Sequence, residues 1–479
     1  MASAAHAIEL HLYCHGLGDC HLLRVGSDQG DQWIMIDCGI HTSTAGGADR
    51  IQTVAEDVKA VTGGKLRAIV GTHEHWDHLS AFHPAQKLFR EADGWKIGEI
   101  WLAWTEDGTN AEAGKLDKYK VEATRTLAVA KTAIFRSNGF RDLQSPLGAV
   151  LGFLGFNGPG RVAMSTEPAL ARAFGLEGDR IRSARENLKA LAPAPPCYLN
   201  PGDVIDVTPE VRCYVLAPPH DSKFNVLDNK GLTYNATAGE PLLVGLQNAI
   251  AVNYAGKELE NDPTSPFDGD EGERLGKAAA EPFLLNHYHN EPWRTIDNDW
   301  LMPTTELALQ LDNRTNNSSL VLAFEIVSSG HVLIFAADAQ IGNWQSWQSV
   351  VFPAKDKRPE VTGKDLLERA VFYKVGHHGS RNATMSTGGL ELMNNLEFAF
   401  NPTDRAMAKK VGWDDIPARA LNAELQRRTS NRLIEGDQPP ALPNNTFAAG
   451  GALAAPVEMR TATGSNNRPD VKCVVCRFA

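Results

Sequence analysis

The segment Thr72-His73-Glu74-His75-Trp76-Asp77-His78 places three imidazoles and the Asp77 carboxylate within six residues. It comes directly after the apolar run Leu66-Arg67-Ala68-Ile69-Val70-Gly71, which reads as a buried strand. His73 and His75 alternate along the end of an extended segment and so point to one side, which suits two nitrogen ligands on one metal ion. Asp77 and His78 follow where the chain turns into a helix, with Leu79, Phe82, Leu88 and Phe89 expected on its apolar face, and they can reach a second ion. Histidines in a loop often only satisfy backbone groups. A fixed pattern of three imidazoles and one carboxylate at the end of a strand is more specific than that.

The remaining sequence narrows the class. A chain of 479 residues with 43% hydrophobic and 22% charged side chains can bury more than one core, or one core with large insertions. The first residues lack a basic stretch followed by an apolar one. The longest apolar stretch, Leu147 to Phe156, is broken by glycines and is far shorter than a membrane span. The chain is therefore read as cytoplasmic and unanchored. Seven irregularly spaced cysteines point to reduced thiols, and the Cys473–Cys476 pair reads as strand packing. A net charge of -11 counts against tight non-specific binding to long nucleic acid. The acidic run Asp268–Glu273 lacks the spacing of a calcium loop and reads as a solvated loop.

Along the chain, Ile8–Tyr13, Cys20–Val25 and Trp33–Ile36 read as strands, and 48–60 as a helix. From Thr105 to Ala192 the pattern is charged and helical, clearest over Leu116–Phe135 and Ile181–Leu191. Pro193, Pro195 and Pro196 close this stretch. Strands resume at Asp203–Val207 and Val211–Leu216, ending near His220. A long segment then leads to the hairpin Ser319–Ile326 and His331–Asp338, and a last strand, Ala370–Val375, runs into His377-His378-Gly379-Ser380. Trp101, Trp104, Trp344 and Trp347 read as core, and His287 and His289 as surface residues.

The order Gly16-Leu17-Gly18-Asp19, Ile36-Asp37-Cys38-Gly39, His73 to His78, Asn316-Asn317-Ser318-Ser319, Ala337-Asp338-Ala339 and Lys374-Val375-Gly376-His377-His378-Gly379-Ser380 resembles the metallo-β-lactamase superfamily. Within it, the chain is most similar to the hydrolase domain of ComEC-type DNA-uptake proteins. The resemblance spans about Leu10 to Thr384 and implies an α/β fold, an αββα four-layer sandwich with two large insertions. Its core covers 1–104, 197–220 and 313–405. The helical insertion is 105–196, the loop-rich insertion 221–312, and 406–479 is a C-terminal extension packing on the core.

The resemblance further implies two divalent metal ions, zinc with manganese or iron(II) as alternatives. It assigns His73 and His75 to the first ion, Asp77 and His78 to the second, Asp338 as the bridging carboxylate and His377 as the remaining ligand. His377 is preferred to His378 because the superfamily usually places the ligand directly after the strand. His220 is the candidate third ligand of the first ion, the alternative being a turn residue. A hydroxide held between two ions about 3.5–4 Å apart is a nucleophile at neutral pH. Asp77 can orient that hydroxide, and His378, Ser380 or a metal-bound water can supply the proton for the leaving group. Asn317, Ser319, Arg381 and Asn382 are candidates for contacting substrate oxygens. Gly16 and Gly18 read as a tight turn, and Asp19 and Asp37 as structural or supporting groups.

Three functions follow as expectations. The first is a metal-dependent phosphodiesterase acting on nucleic acid or nucleotides. The second is a hydrolase of small esters, lactones or thioesters. The third is a binding module or effector held inactive by a protein partner through the insertions. A lack of membrane-spanning segments separates any of these from DNA uptake itself.

Overall fold

The computed structural model describes residues 7–28, 30–136, 146–156, 180–221, 281–284, 286–287, 303–356, 358–410 and 412–479. The acidic run Asp268–Glu273 and His289 lie outside them; His287 is exposed.

The chain is a mixed α/β fold built on two large sheets. In the first, the strands lie in the order Glu458–Ala462, Val471–Phe478, Ile8–Cys14, His21–Val25, Gln32–Ile36, Lys65–Gly71, Lys96–Ala103 and Cys197–Leu199. Pairing is antiparallel up to Gln32–Ile36 and parallel beyond it. In the second, the order is Leu433–Glu435, Phe398–Asn401, Ala370–Lys374, Val332–Phe335, Val321–Ile326, Val211–Ala217 and Val204–Thr208. Here Leu433 to Phe335 form the parallel part and the rest is antiparallel. The segment after residue 406, expected to pack on the core, supplies strands to both sheets.

Strand periodicity explains where the core sits. Ile34, Ile36, Ala68 and Val70 of the first sheet and Leu322, Phe324, Leu333 and Phe335 of the second share one buried apolar cluster between the sheets. The alternate residues Met35 and Ile69 join a second cluster with Val54 and Val58 of the Gly47–Thr62 helix. Val321, Ala323 and Ile334 join a third with Trp344 and Trp347. Both faces of the central strands are thus buried, which is why they read as continuous apolar runs. Cys473 and Cys476 fall in different clusters, on opposite faces of their strand, and every described cysteine is free.

The chain from 105 to 196 carries the helices Ala111–Arg136, Pro146–Phe153 and Arg180–Lys189. The first two pack against the helix Pro303–Asn317 through Tyr119, Ala123, Leu127, Leu151, Leu307 and Leu311. Among the described residues, no helix is long and apolar enough to cross a membrane.

Candidate metal centre

The carboxyl ends of the parallel strands converge on one point, where open α/β sheets place their ligands. Lys65–Gly71 runs into the His73–His78 segment, Val332–Phe335 into Asp338, and Ala370–Lys374 into His377 and His378. The expected helix after the motif is short. Trp76–Leu79 is helical, a 3-10 turn follows, and Pro84 opens another, so Leu88 and Phe89 are not on a continuing helix.

Two glycines let the motif approach the first sheet. Asp19 N–H donates to the Asp77 carbonyl (3.0 Å), and Cys38 N–H donates to the His78 carbonyl (2.9 Å). A Cβ on Gly39 would lie under 3.0 Å from the Asp77 carbonyl and the His78 nitrogen, and one on Gly18 would meet the Gly39 and Asp77 carbonyls. These glycines serve backbone packing. Gly39→Ala is expected to destabilise the protein by about 3 kcal/mol, the upper end for overpacking, read from denaturant midpoints. An unchanged midpoint would show that the backbone yields there.

Two groups of buried side chains bring their ligand atoms together. One is Asp77, His78, Asp338 and His378; the other is His73, His75 and Asp338. Asp338 is common to both. His73 Nε2 and His75 Nδ1 approach to 3.1 Å. His378 Nε2 lies 2.7 Å from Asp77 Oδ2 and 3.6 Å from Asp338 Oδ2, and His78 Nε2 lies 3.3 Å from Asp338 Oδ2.

The structure departs from two expectations. His378, not His377, faces Asp77 and Asp338. Both histidines have positive φ, 41° and 53°, and this left-handed kink swings the first imidazole aside. His377 is half-buried; its backbone N–H donates to Asp338 Oδ1 (3.1 Å), and its Nδ1 lies 2.8 Å from Ser380 Oγ, which donates to Asn382 Oδ1 (2.7 Å). His220 is exposed and packs its ring on Trp104 at 4.5 Å, outside either group.

The remaining candidates have other partners. Asn317 Oδ1 accepts from Asn343 N–H (3.1 Å), which ties its helix to the one beginning at Ile341. Ser319 is buried, with a hydroxyl that has no hydrogen-bond partner among the described residues. Arg381 is exposed and paired with Asp415.

Apart from Asp19 and Asp37, read as structural or supporting groups, sequence reading missed the groups around the cluster. Asp37 Oδ2 sits 2.7 Å from His78 Nδ1, and both Asp37 oxygens accept from Thr72. Lys374 is buried, pairs with Asp19 and lies 3.7 Å from Asp338 Oδ1. The grouping of Asp19, Asp37 and His78 therefore already holds a cation of its own. Glu74, between the two motif histidines, is 2.8 Å from Arg185 and 3.0 Å from Lys120; both also reach Glu106, at 2.9 Å and 3.2 Å.

Phe153, from the apolar stretch Leu147 to Phe156, is buried over the cluster. It stacks on His378 (6.1 Å, 3°) and on Trp413 (5.3 Å, 6°), and lies 5.8 Å from His75. Asp312, on the Pro303–Asn317 helix, is buried 3.6 Å from His75 Nε2. Its signal in the sequence is the i, i+4 pair Asp312 and Asn316 on a stripe otherwise made of Leu307, Ala308 and Leu311.

The electrostatics fit a cation. Burial pushes the His73 and His75 imidazoles down, His75 to about 3, so both are neutral, the form that ligates metal. Burial opposes charge on His78, but Asp338, Asp77, Asp37 and Asp19 hold its imidazole well above the usual range. Burial, with the charges of Asp338 and Asp77, pushes Asp312 up. Among the described residues, Asp77 Oδ1, Asp338 Oδ2, His78 Nε2 and His75 Nε2 have no hydrogen-bond partner. Divalent ions supply the charge and the bonds such donors lack, displacing protons as they bind.

Fold and site thus define a candidate metal-binding centre at the sheet ends. Residues 16–142, which carry the His73–His78 motif, match the family model of the metallo-beta-lactamase superfamily, and the match points to a metal-dependent hydrolase. No curated protein matches the chain.

Proposed function

We propose that the protein is a binuclear metallohydrolase whose preferred substrates are phosphodiesters of nucleotides or short nucleic acid. The observation that carries this reading is Asp338, shared by two convergent sets of imidazole and carboxylate donors. We read the two sheets and their flanking helices as the four-layer sandwich of metallo-β-lactamases, with 105–196 and 221–312 as insertions.

His73, His75 and Asp338 hold one ion; Asp77, His78, Asp338 and His378 hold the other. The donors are nitrogen and oxygen without thiolate, which suits zinc and also manganese or iron(II). Bound there, the pair supplies an activated water and a positive clamp on the oxygen that gains charge. Asp77 orients the nucleophile from the side where it meets His378. His377 and Ser380, hydrogen-bonded to each other beside the cluster, provide the proton for the leaving group. Phe153 and Trp413 cover the site with flat apolar surface that excludes water and narrows entry. That roof and the net charge of -11 favour nucleotides and strand ends over long duplex.

Turnover of bis-nitrophenyl phosphate and short single strands is expected to vanish on chelation and return with metal. Asp77→Asn keeps the shape but loses the charge, and is expected to cost about a hundredfold or more in kcat. Long duplex should be a poorer substrate. Metal-dependent turnover confined to a panel of lactones and esters would replace this reading with small-molecule ester hydrolysis.

A further inference from the structure

An imidazole that ligates a metal through one nitrogen carries its proton on the other, and an acceptor at that second nitrogen fixes both tautomer and ring orientation. Three of the four histidines in the cluster have such a partner from the sheets or their loops. His73 Nδ1 lies 3.1 Å from Thr72 Oγ1, His78 Nδ1 2.7 Å from Asp37 Oδ2, and His378 Nδ1 2.7 Å from the Pro402 carbonyl. His75 differs. Its Nδ1 faces His73 Nε2, so Nε2 is the nitrogen left over, and among the described residues it has no hydrogen-bond partner. The group aimed at it is Asp312 Oδ1, at 3.6 Å and likewise without a hydrogen-bond partner. The other oxygen of Asp312 accepts from Asn316 Nδ2 (3.2 Å) one turn along the same helix, which fixes the carboxylate plane.

We propose that Asp312 is the positioning residue for His75, accepting its Nε2–H so that Nδ1 is presented to the first metal ion. The proposal rests on the reading of this cluster as a metal centre. Its consequence is that one ligand of that centre is set by the Pro303–Asn317 helix, which packs on the helices of the 105–196 segment. The other three are set from the sheets and their loops. Metal affinity at the position that His75 serves thereby depends on how these helices dock.

The test strips the full-length protein of metal and titrates it with cobalt(II) against a chromophoric chelator, resolving the two equivalents. It compares wild type with Asp312→Ala, Asp312→Asn and Asp312→Glu. Asp312→Ala is expected to weaken one equivalent by about 10- to 100-fold, the usual cost of losing such a partner, and to shift the visible cobalt bands. The second equivalent stays as in wild type, and saturating metal still gives two ions. Asp312→Asn keeps an acceptor oxygen without the charge and falls between, and Asp312→Glu restores part of the affinity. Should Asp312→Ala fold poorly by circular dichroism, the near-isosteric Asp312→Asn carries the comparison. Unchanged affinities and spectra overturn the proposal. So does loss of a whole equivalent that saturating metal does not restore, which would make Asp312 a direct ligand. Wild-type protein that binds no metal would refute the metal-centre reading itself, a different outcome from any shown by the variants alone.

Discussion

Asp338→Ala is expected to remove both metal ions together and to lower hydrolytic turnover by about a thousandfold or more, the several kcal/mol that such ions contribute to the transition state. Asp338 is the only residue common to both ligand groups among the described residues. It is also fixed on its far side by the His377 N–H and faced by Lys374, so its removal takes away the one carboxylate that the two groups share. His73→Ala, by contrast, should reduce the content toward one ion. Elemental analysis and chelator competition on the two variants give the comparison. An Asp338→Ala protein that keeps one full-affinity ion would separate the two sites and end the shared-carboxylate reading.

Arg185→Ala is expected to destabilise the protein by about 3 kcal/mol, the low end for breaking a buried ion pair. Arg185 meets Glu74, Glu106 and Asp117 at 2.8, 2.9 and 2.9 Å, and the first two carboxylates are themselves buried. Lys120 continues to neutralise Glu74 and Glu106, which keeps the cost from being higher. Denaturant unfolding measures the change, and Arg185→Met separates lost charge from lost volume. Because Glu74 lies between His73 and His75, the same variant should also weaken metal binding. A variant as stable as wild type would mean that Lys120 alone suffices.

Much of the candidate site was legible because its chemistry is local in the chain. His73, His75, Asp77 and His78 follow one apolar strand, and the strands leading to Asp338 and to the His377–His378 pair show the same buried pattern. What escaped was set by conformation or by distant packing. The choice between His377 and His378 turns on left-handed backbone at two residues that carry side chains, which position after a strand does not reveal. His220 follows a strand as expected, yet the chain there leads outward onto Trp104. Asp312 reaches His75 from a helix more than 200 residues later in the chain, and its apolar stripe resembles that of any packed helix. The apolar stretch containing Phe153 was weighed only as a membrane span; its place over the cluster depends on tertiary packing.

The strand Ile8–Cys14 is paired on one side with the nearby His21–Val25 and on the other with Val471–Phe478, in a register running from Ile8 opposite Phe478 to Cys14 opposite Lys472. Joining such distant segments costs about 3 kcal/mol more loop-closure entropy than closing the local hairpin. During synthesis the hairpin therefore forms long before its outer neighbour exists, leaving an open edge with Leu10 and Leu12 uncovered. The sheet that carries the His73–His78 motif is completed late, by a meeting of distant segments that slows folding as non-local pairing does.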